Sequence, residues 1–261
     1  MSKRKPNHHR NKRKSASGKN DDDGLPLIYG THAVRAALAN EKRTINAIYA
    51  TQNAANEVQD LLRQRQIQPI LKTGGELAQM LPPDAVHQGL VLDCTPLPAL
   101  PLDEIAAHGK TLILLDQVSD PRNVGAILRA AAVFGAGAVI VTRRNSPPAG
   151  GTLAKTAVGA LEVVPLIEVA NLARALEELH KTGYMSVGLD EGGEVLIDAV
   201  PQDRPLAVVM GAEGPGLRRL TRETCDMLAR LPVAEAAEGE AFATLNVATA
   251  TAVTLYALSK P

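Results

Sequence analysis

Residues 206–258 constrain this chain more than any other stretch. Leu206-Ala207-Val208-Val209-Met210 runs without a polar break into Gly211-Ala212-Glu213-Gly214-Pro215-Gly216. An apolar run that stops abruptly at glycine predicts a buried strand emptying into a tight loop. Three glycines in six residues let the backbone approach a ligand closely, because none carries a Cβ. A polar-faced segment over 217–227 follows, then a short apolar stretch over 228–233. Thr244-Leu245-Asn246-Val247 then leads into an Ala/Thr/Val-rich run ending at Leu258. Buried strand, glycine loop, helix, strand and helix is the order in which α/β proteins build a ligand site at the carboxyl ends of their strands.

The rest of the chain fits that class. At 261 residues, with 45% hydrophobic and 21% charged residues, it can bury a sizeable core in one large or two small domains. Net charge is zero, but residues 1–24 hold eight Lys or Arg against three Asp, a local +5 that leaves −5 for the remainder. This polar, aperiodic arm predicts a disordered tail, either one that attracts phosphates or a solvated tail with no selected role. Aromatics are 2% of the chain and Trp is missing, which argues against stacking platforms. Cys94 and Cys225 are too few for a disulfide framework or a metal pair. No apolar run reaches a membrane span and no secretory signal opens the chain. The expectation is a cytoplasmic protein with no membrane and no metal.

Residues 25–95 predict a small α/β unit. It has a helix over 29–38 with Thr31 as N-cap, a strand over 45–50 and a helix over 53–66. Extended chain at 70–71, a short helix over 75–80 and a strand over 85–92 complete it. His32 and His87 read more simply as core or turn residues than as ligands. The Pro-rich stretch over 96–110 marks a linker. Residues 111–261 then alternate strands (111–116, 138–142, 163–166, 185–189, 206–210) with helices (124–134, 151–160, 171–181), which predicts a mostly parallel sheet. Strand 111–116 is apolar on both faces, as in a sheet covered by helices on each side.

Three clusters hold polar groups suited to chemistry. Asn123 stands at the mouth of one helix and Arg129 lies six residues on; the spacing allows both to face one site, where a guanidinium suits phosphate or ribose oxygens, though spacing alone favours a surface Arg and a capping Asn. Glu213 stands in the glycine loop, which is neither a dinucleotide fingerprint nor a P-loop. Asn246 opens an apolar helix, where an amide needs a hydrogen-bond partner.

In order and spacing, Asp116 to Arg129, Val209 to Gly216, and Leu231-Pro232 with Thr244-Leu245-Asn246-Val247 resemble the three motifs of the SpoU/TrmH RNA ribose 2′-O-methyltransferases, of the SPOUT superfamily. Tyr29-Gly30-Thr31-His32-Ala33-Val34 and Ala85-Val86-His87-Gln88-Gly89 are similar to the ribosomal-protein-like substrate-binding domain of the branch that methylates a guanosine ribose in large-subunit (23S) rRNA. The resemblance covers about 25–258. It implies a trefoil-knotted, mostly parallel α/β methyltransferase domain behind a small α/β RNA-binding domain, and a homodimer with its active site at the subunit interface. It further implies S-adenosylmethionine held largely by backbone at Gly211, Leu231 and Leu245, with Met210, Pro232 and Thr244 beside them. Arg129 would be catalytic, and Asn123, Glu213 and Asn246 would shape the ribose and methionine ends. Glu213 could fix Arg129 or another donor. Two features depart from the pattern: Ala248 stands where Ser is usual, and 233–243 is long and acidic (Glu235, Glu238, Glu240). The rivals are a tRNA ribose methylase and a ribosome-associated RNA-binding protein without catalysis. An oxidoreductase lacks a correctly placed nucleotide fingerprint.

Overall fold

The computed structural model describes residues 27–144, 146–147, 151–234 and 244–259. The basic arm over 1–24 and the acidic Glu235, Glu238 and Glu240 lie outside them. The order is β1 (Ile28–Tyr29), α1 (Thr31–Ala39), β2 (Ile45–Ala50), α2 (Gln52–Glu57), α3 (Gln59–Arg65), β3 (Ile70–Leu71), α4 (Gly74–Gln79) and β4 (Leu90–Cys94). These strands form one sheet, β1-β4-β2-β3, with only β2 and β3 parallel. Then come α5 (Leu102–Ala106), β5 (Leu112–Asp116), α6 (Pro121–Val133), β6 (Ala138–Thr142), α7 (Gly151–Ala157), β7 (Leu166–Val169), α8 (Leu172–Lys181), β8 (Met185–Leu189), β9 (Val195–Leu196), β10 (Leu206–Gly211), α9 (Arg219–Thr224), β11 (Met227–Arg230) and α10 (Val247–Leu258).

The second sheet has seven strands in the order β7-β6-β5-β10-β8-β11-β9, parallel at every pairing. Strands alternate side chains between faces, so each central strand feeds two cores. Ile113, Leu115, Val139, Val141, Val208 and Met210 pack on the face of α6, α7 and α10. Leu112, Leu114, Ala138, Ile140, Ala207 and Val209 pack on the opposite face with α8. β10 lies between β5 and β8, and β11 between β8 and β9, so late strands fill slots between earlier ones.

Several elements differ from the sequence reading. Gly30, not Thr31, is the N-cap of α1, and no side chain caps it; the Thr31 N–H is instead accepted by Gln88 Oε1 at 3.0 Å. The helix expected over 53–66 breaks at buried Val58, whose φ of −111° and ψ of 13° leave the helical range. The strand expected over 85–92 starts only at Leu90, because Gln88 and Gly89 both take positive φ, 53° and 79°. β7 begins at Leu166 rather than at Val163. Pro165 supplies no N–H, and pairing starts with its carbonyl, which accepts from Val139 N–H at 2.9 Å. The Pro-rich linker contains α5, whose Ile105 and Ala106 are buried.

The two sheets share one seam. Apolar residues of β1, α1, α2 and β4 join the same cluster as α6, α7 and α10. A Cβ at Gly159 would stand 2.5 Å from Ala36 Cβ, which shows how closely α1 comes. Across the seam Arg43 donates to Glu162 from Nη2 at 2.6 Å and from Nε at 3.3 Å, and from Nη1 to the Thr95 carbonyl at 2.9 Å. Asn40 Nδ2 adds a bond to Glu162 at 2.7 Å. The two charged side chains are 5% and 6% exposed. Arg43→Ala leaves the Glu162 carboxylate buried without its charge partner, so it is expected to cost about 3–5 kcal/mol, measured from the urea unfolding midpoint. A loss below about 1 kcal/mol would class the pair with exposed ones.

Candidate active site

Asp116 ends β5 and Gly211 ends β10, and the two stand opposite each other in register. From this point the chain leads to β6 on one side while β8 lies on the other. Ligand crevices of parallel sheets form at such a switch in strand direction. Asp116 has no solvent exposure, and its carboxylate accepts from Arg218 Nε at 2.6 Å and from Arg218 N–H at 2.9 Å. A carboxylate in that position needs both donors to offset its lost hydration. The result is a staple that ties the exit of the glycine loop to the end of the neighbouring strand.

Inside that staple the loop doubles back on itself. Gly216 N–H donates to the Ala212 carbonyl at 3.0 Å, and Gly214 and Gly216 take φ of 82° and 65°. A Cβ at Gly211 would stand 2.4 Å from the Gly216 carbonyl carbon. Only glycine fits there, because the obstruction is backbone and cannot rotate away. Glu213 is exposed in the loop and reaches residues from two helix starts.

Asp120 caps α6 through the Arg122 N–H at 2.8 Å, with Pro121 in the first turn. Asn123, in that turn, donates from Nδ2 to Glu213 Oε1 at 3.0 Å. Asn246 caps α10, its Oδ1 accepting from Ala248 N–H at 2.9 Å and Thr249 N–H at 3.4 Å. With its oxygen committed to the cap, the Asn246 amide nitrogen must face outward. It donates to Asn123 Oδ1 at 3.0 Å and to Glu213 Oε1. Three residues far apart in sequence thus close one triangle, and Glu213 Oε2 has no partner among the described residues.

Arg129 is not brought to that triangle. Six residues on an α-helix turn the side chain about 120° from that of Asn123. Arg129 is exposed on α6 and makes no hydrogen bond or ion pair among the described residues. The donors on Glu213 are therefore the two asparagine amides, not Arg129. Met210 is buried, so only its backbone faces the crevice. Leu231 is half-buried and Pro232 exposed just past β11, while Thr244 and Leu245 are exposed just before α10. Ala248, where the sequence lacks a hydroxyl, is buried and held by the cap.

Arg218, Thr156 and Gly125 escape sequence reasoning. Asp116 at the end of an apolar strand signals a need for a partner, but nothing local points 102 residues ahead. Thr156 donates to the Pro121 carbonyl at 3.0 Å, and a Cβ at Gly125 would stand 2.2 Å from its hydroxyl, so α7 presses on the mouth of α6. Burial, with Asp226 and Asp116 nearby, pushes the Cys225 thiol up to about 12, which removes it as a nucleophile. Among the described residues no group of three His, Cys, Asp or Glu could hold a metal.

The chain matches the model of the SpoU rRNA Methylase family over residues 110–256, and the model described as RNA 2′-O ribose methyltransferase substrate binding over 27–100. It is 40% identical to the 23S rRNA (guanosine-2′-O-)-methyltransferase RlmB of Ralstonia nicotianae, covering 88% of this chain and 93% of that one. Against the RlmB of Pseudomonas putida it is 37% identical, with 89% and 95% covered. The crystal structure of the SpoU methyltransferase AviRb from Streptomyces viridochromogenes superposes with a TM-score of 0.75 at 23% identity, covering 91% of this chain and 89% of that one. An rRNA methyltransferase from Sinorhizobium meliloti gives 0.73 at 22% identity, with 89% and 86% covered.

Gly211→Ala is expected to open the loop, detach Glu213 from the two asparagines and destabilise the protein by about 1–3 kcal/mol or more. The urea midpoint measures the cost, and crosslinking of the Glu213→Cys and Asn246→Cys pair, with and without Gly211→Ala, reads the opening. An unchanged midpoint would mean that the loop has room the geometry denies it.

Proposed function

The chain belongs to the SpoU rRNA methylase family, and from that premise we propose that it methylates the ribose 2′-hydroxyl of a guanosine in large-subunit (23S) rRNA, using S-adenosylmethionine. The observation that supports this best is the Asn123–Glu213–Asn246 triangle at the carboxyl end of the sheet, assembled from the three motifs that mark the family. The 23S rRNA guanosine methyltransferases to which the chain is 35–40% identical favour rRNA over tRNA. A matched substrate-binding segment over 27–100 favours the same reading.

The residues present suit S-adenosylmethionine. Gly211 brings bare backbone to the crevice. Leu231, Val233 (45% exposed) and Leu245 (49% exposed) offer apolar surface without a stacking ring. Met210, Pro232 and Thr244 complete those three segments. When bound, the cofactor supplies a methyl already activated on a sulfonium. The protein then has to orient the 2′-hydroxyl and help it lose a proton. Asn123 and Asn246 hold one oxygen of Glu213, which leaves Oε2 for a hydroxyl donor. A guanidinium offers five donors and no acceptor, so Arg129 steadies the developing alkoxide or a neighbouring phosphate and does not act as base.

A homodimer supplies what one chain lacks. Arg129, Val133 (77% exposed), Val253 (40%) and Tyr256 (55%) lie on exposed parts of α6 and α10, an apolar area of the kind that interfaces cover. A two-fold partner placed there brings its Arg129 toward the triangle of the first chain. Strands β10 and β11 entering between earlier strands, with α10 returning onto α6, suit the trefoil knot. Residues 25–95 serve as the RNA-docking unit, 96–110 as the linker and 111–261 as the catalytic domain. Among the described residues no helix is long and apolar enough to cross a membrane, and an rRNA substrate suits the cytoplasm.

The test is transfer of labelled methyl from S-adenosylmethionine to unmodified rRNA and tRNA, comparing the native protein with Arg129→Ala. Label is expected in rRNA as 2′-O-methylguanosine, with Arg129→Ala lowering kcat by about 100-fold or more while cofactor affinity by calorimetry stays the same. Label in tRNA alone would transfer the assignment to that substrate. No transfer and no cofactor binding would overturn it.

A further inference from the structure

The two segments of the docking unit most like its family, 29–34 and 85–89, are not used by the chemistry above. Both converge on the seam with the catalytic domain. There Tyr29, Gly30, His32, Ala33 and Gln88 from one side meet Lys155 and Val158 from the other around a cavity of about 200 Å³. None of these residues is acidic. Gln88 Oε1 accepts from Thr31 N–H, which turns its amide group away from that bond, and the amide has no acceptor among the described residues. Lys155 has no ion-pair partner there, its ammonium standing 5.9 Å from the centre of the Tyr29 ring. His32 is exposed and makes no side-chain hydrogen bond among the described residues.

The backbone at the rim is strained in two places. Gln88 and Val158 take φ of 53° and 52°, and a β-branched residue in the left-handed region is costly. At Gly30 a Cβ would stand 3.2 Å from Gln88 Oε1, so its absence makes room for that side chain. The concavity is lined mostly by apolar atoms, with the Lys155 ammonium, the Gln88 amide and the His32 imidazole as its polar groups.

Its chemistry follows from what is missing. Tyr29 is 3% exposed, so no ring face is offered to a base, and stacking is ruled out as the mode of recognition. An ammonium, an imidazole and an amide donor suit a phosphate and its ribose oxygens. We infer that this cavity is a second RNA subsite, a backbone anchor for one phosphate–ribose unit of the substrate, separate from the methyl-transfer centre; the inference rests on the reading of the protein as an rRNA methylase. Helix α7 makes the anchor a ruler. Lys155 faces the cavity, while the next residue, Thr156, is bonded to Pro121 at the mouth of the helix that bears Asn123. A phosphate held at Lys155 is thereby fixed in distance from the catalytic triangle. Contacts to phosphate set register without reading sequence, so the anchor positions the RNA.

The test measures binding of an unmodified 23S rRNA transcript to the full chain over a range of KCl concentrations, together with methyl-transfer kinetics. Lys155→Met is expected to reduce the slope of log K against log salt by about one. It is expected to raise KM for RNA several-fold and leave kcat and cofactor affinity unchanged. Lys155→Arg should restore the slope, and Gln88→Ala should raise KM without changing it. An unchanged slope and KM in Lys155→Met would overturn the anchor, as would a loss that Lys155→Arg fails to restore, since shape rather than charge would then be at work. Native protein that methylates no rRNA would overturn the functional reading instead, and the slope comparison would still decide the anchor.

Discussion

The candidate site depends on one carboxylate that has no business being buried unless it is bonded. Asp116 ends the strand at the centre of the sheet with no solvent exposure, and Arg218 meets it with both a side-chain and a main-chain N–H. The electrostatic demand of that buried charge fixes where the chain must return after the glycine loop. Once the exit is fixed at Arg218 and the entrance at Gly211, the residues between have to turn inside a short span. Gly214 and Gly216 supply the left-handed turns, and Glu213 is left to face the first turns of α6 and α10. The asparagines then complete an arrangement that the staple has already located.

The same economy holds at the level of side-chain orientation. An asparagine amide is free to flip unless one end is committed. At Asn246 the helix cap commits the oxygen, so the nitrogen has one direction left. A structural requirement of α10, satisfaction of its first N–H groups, thereby sets the polarity of a site residue. Preorganised dipoles of this kind need little rearrangement when a reaction moves charge. Helix α7 does comparable work for the docking unit. Its close approach at Gly125 and Gly159, with the buried Arg43–Glu162 pair beyond its end, ties both α1 and α6 to one rigid piece.

How much of this the sequence discloses depends on the range of the interaction. The central strands were legible because an apolar run ending at glycine or aspartate is a local signal, and Asp120 and Asn171 cap the helices that follow them by equally local bonds. The three polar clusters were legible as candidates, and their family pattern gave them an order. What failed was set by distant contacts. β7 starts late because Pro165 meets Val139 across the sheet. β9, two residues long, exists only because β11 lies beside it. Neither Arg218 nor Arg43 stands out among the other basic residues until its carboxylate is found.

Arg129 shows the limit of reading spacing as geometry. Six residues sound close, and along the axis they are about 9 Å; around the axis they face apart. A residue can therefore belong to the same motif as Asn123 and still leave the helix on a different side. Its position next to the exposed Val133, one turn on, gives that separation a physical sense. Under the proposed dimer, a guanidinium on the surface that the second copy would cover is desolvated only on assembly, and its attraction for an anion grows as water leaves. In the homodimer proposed above, a site divided in this way would tie its electrostatics to the assembled state, since a lone chain holds the triangle without the cation and the cation in a solvent that screens it.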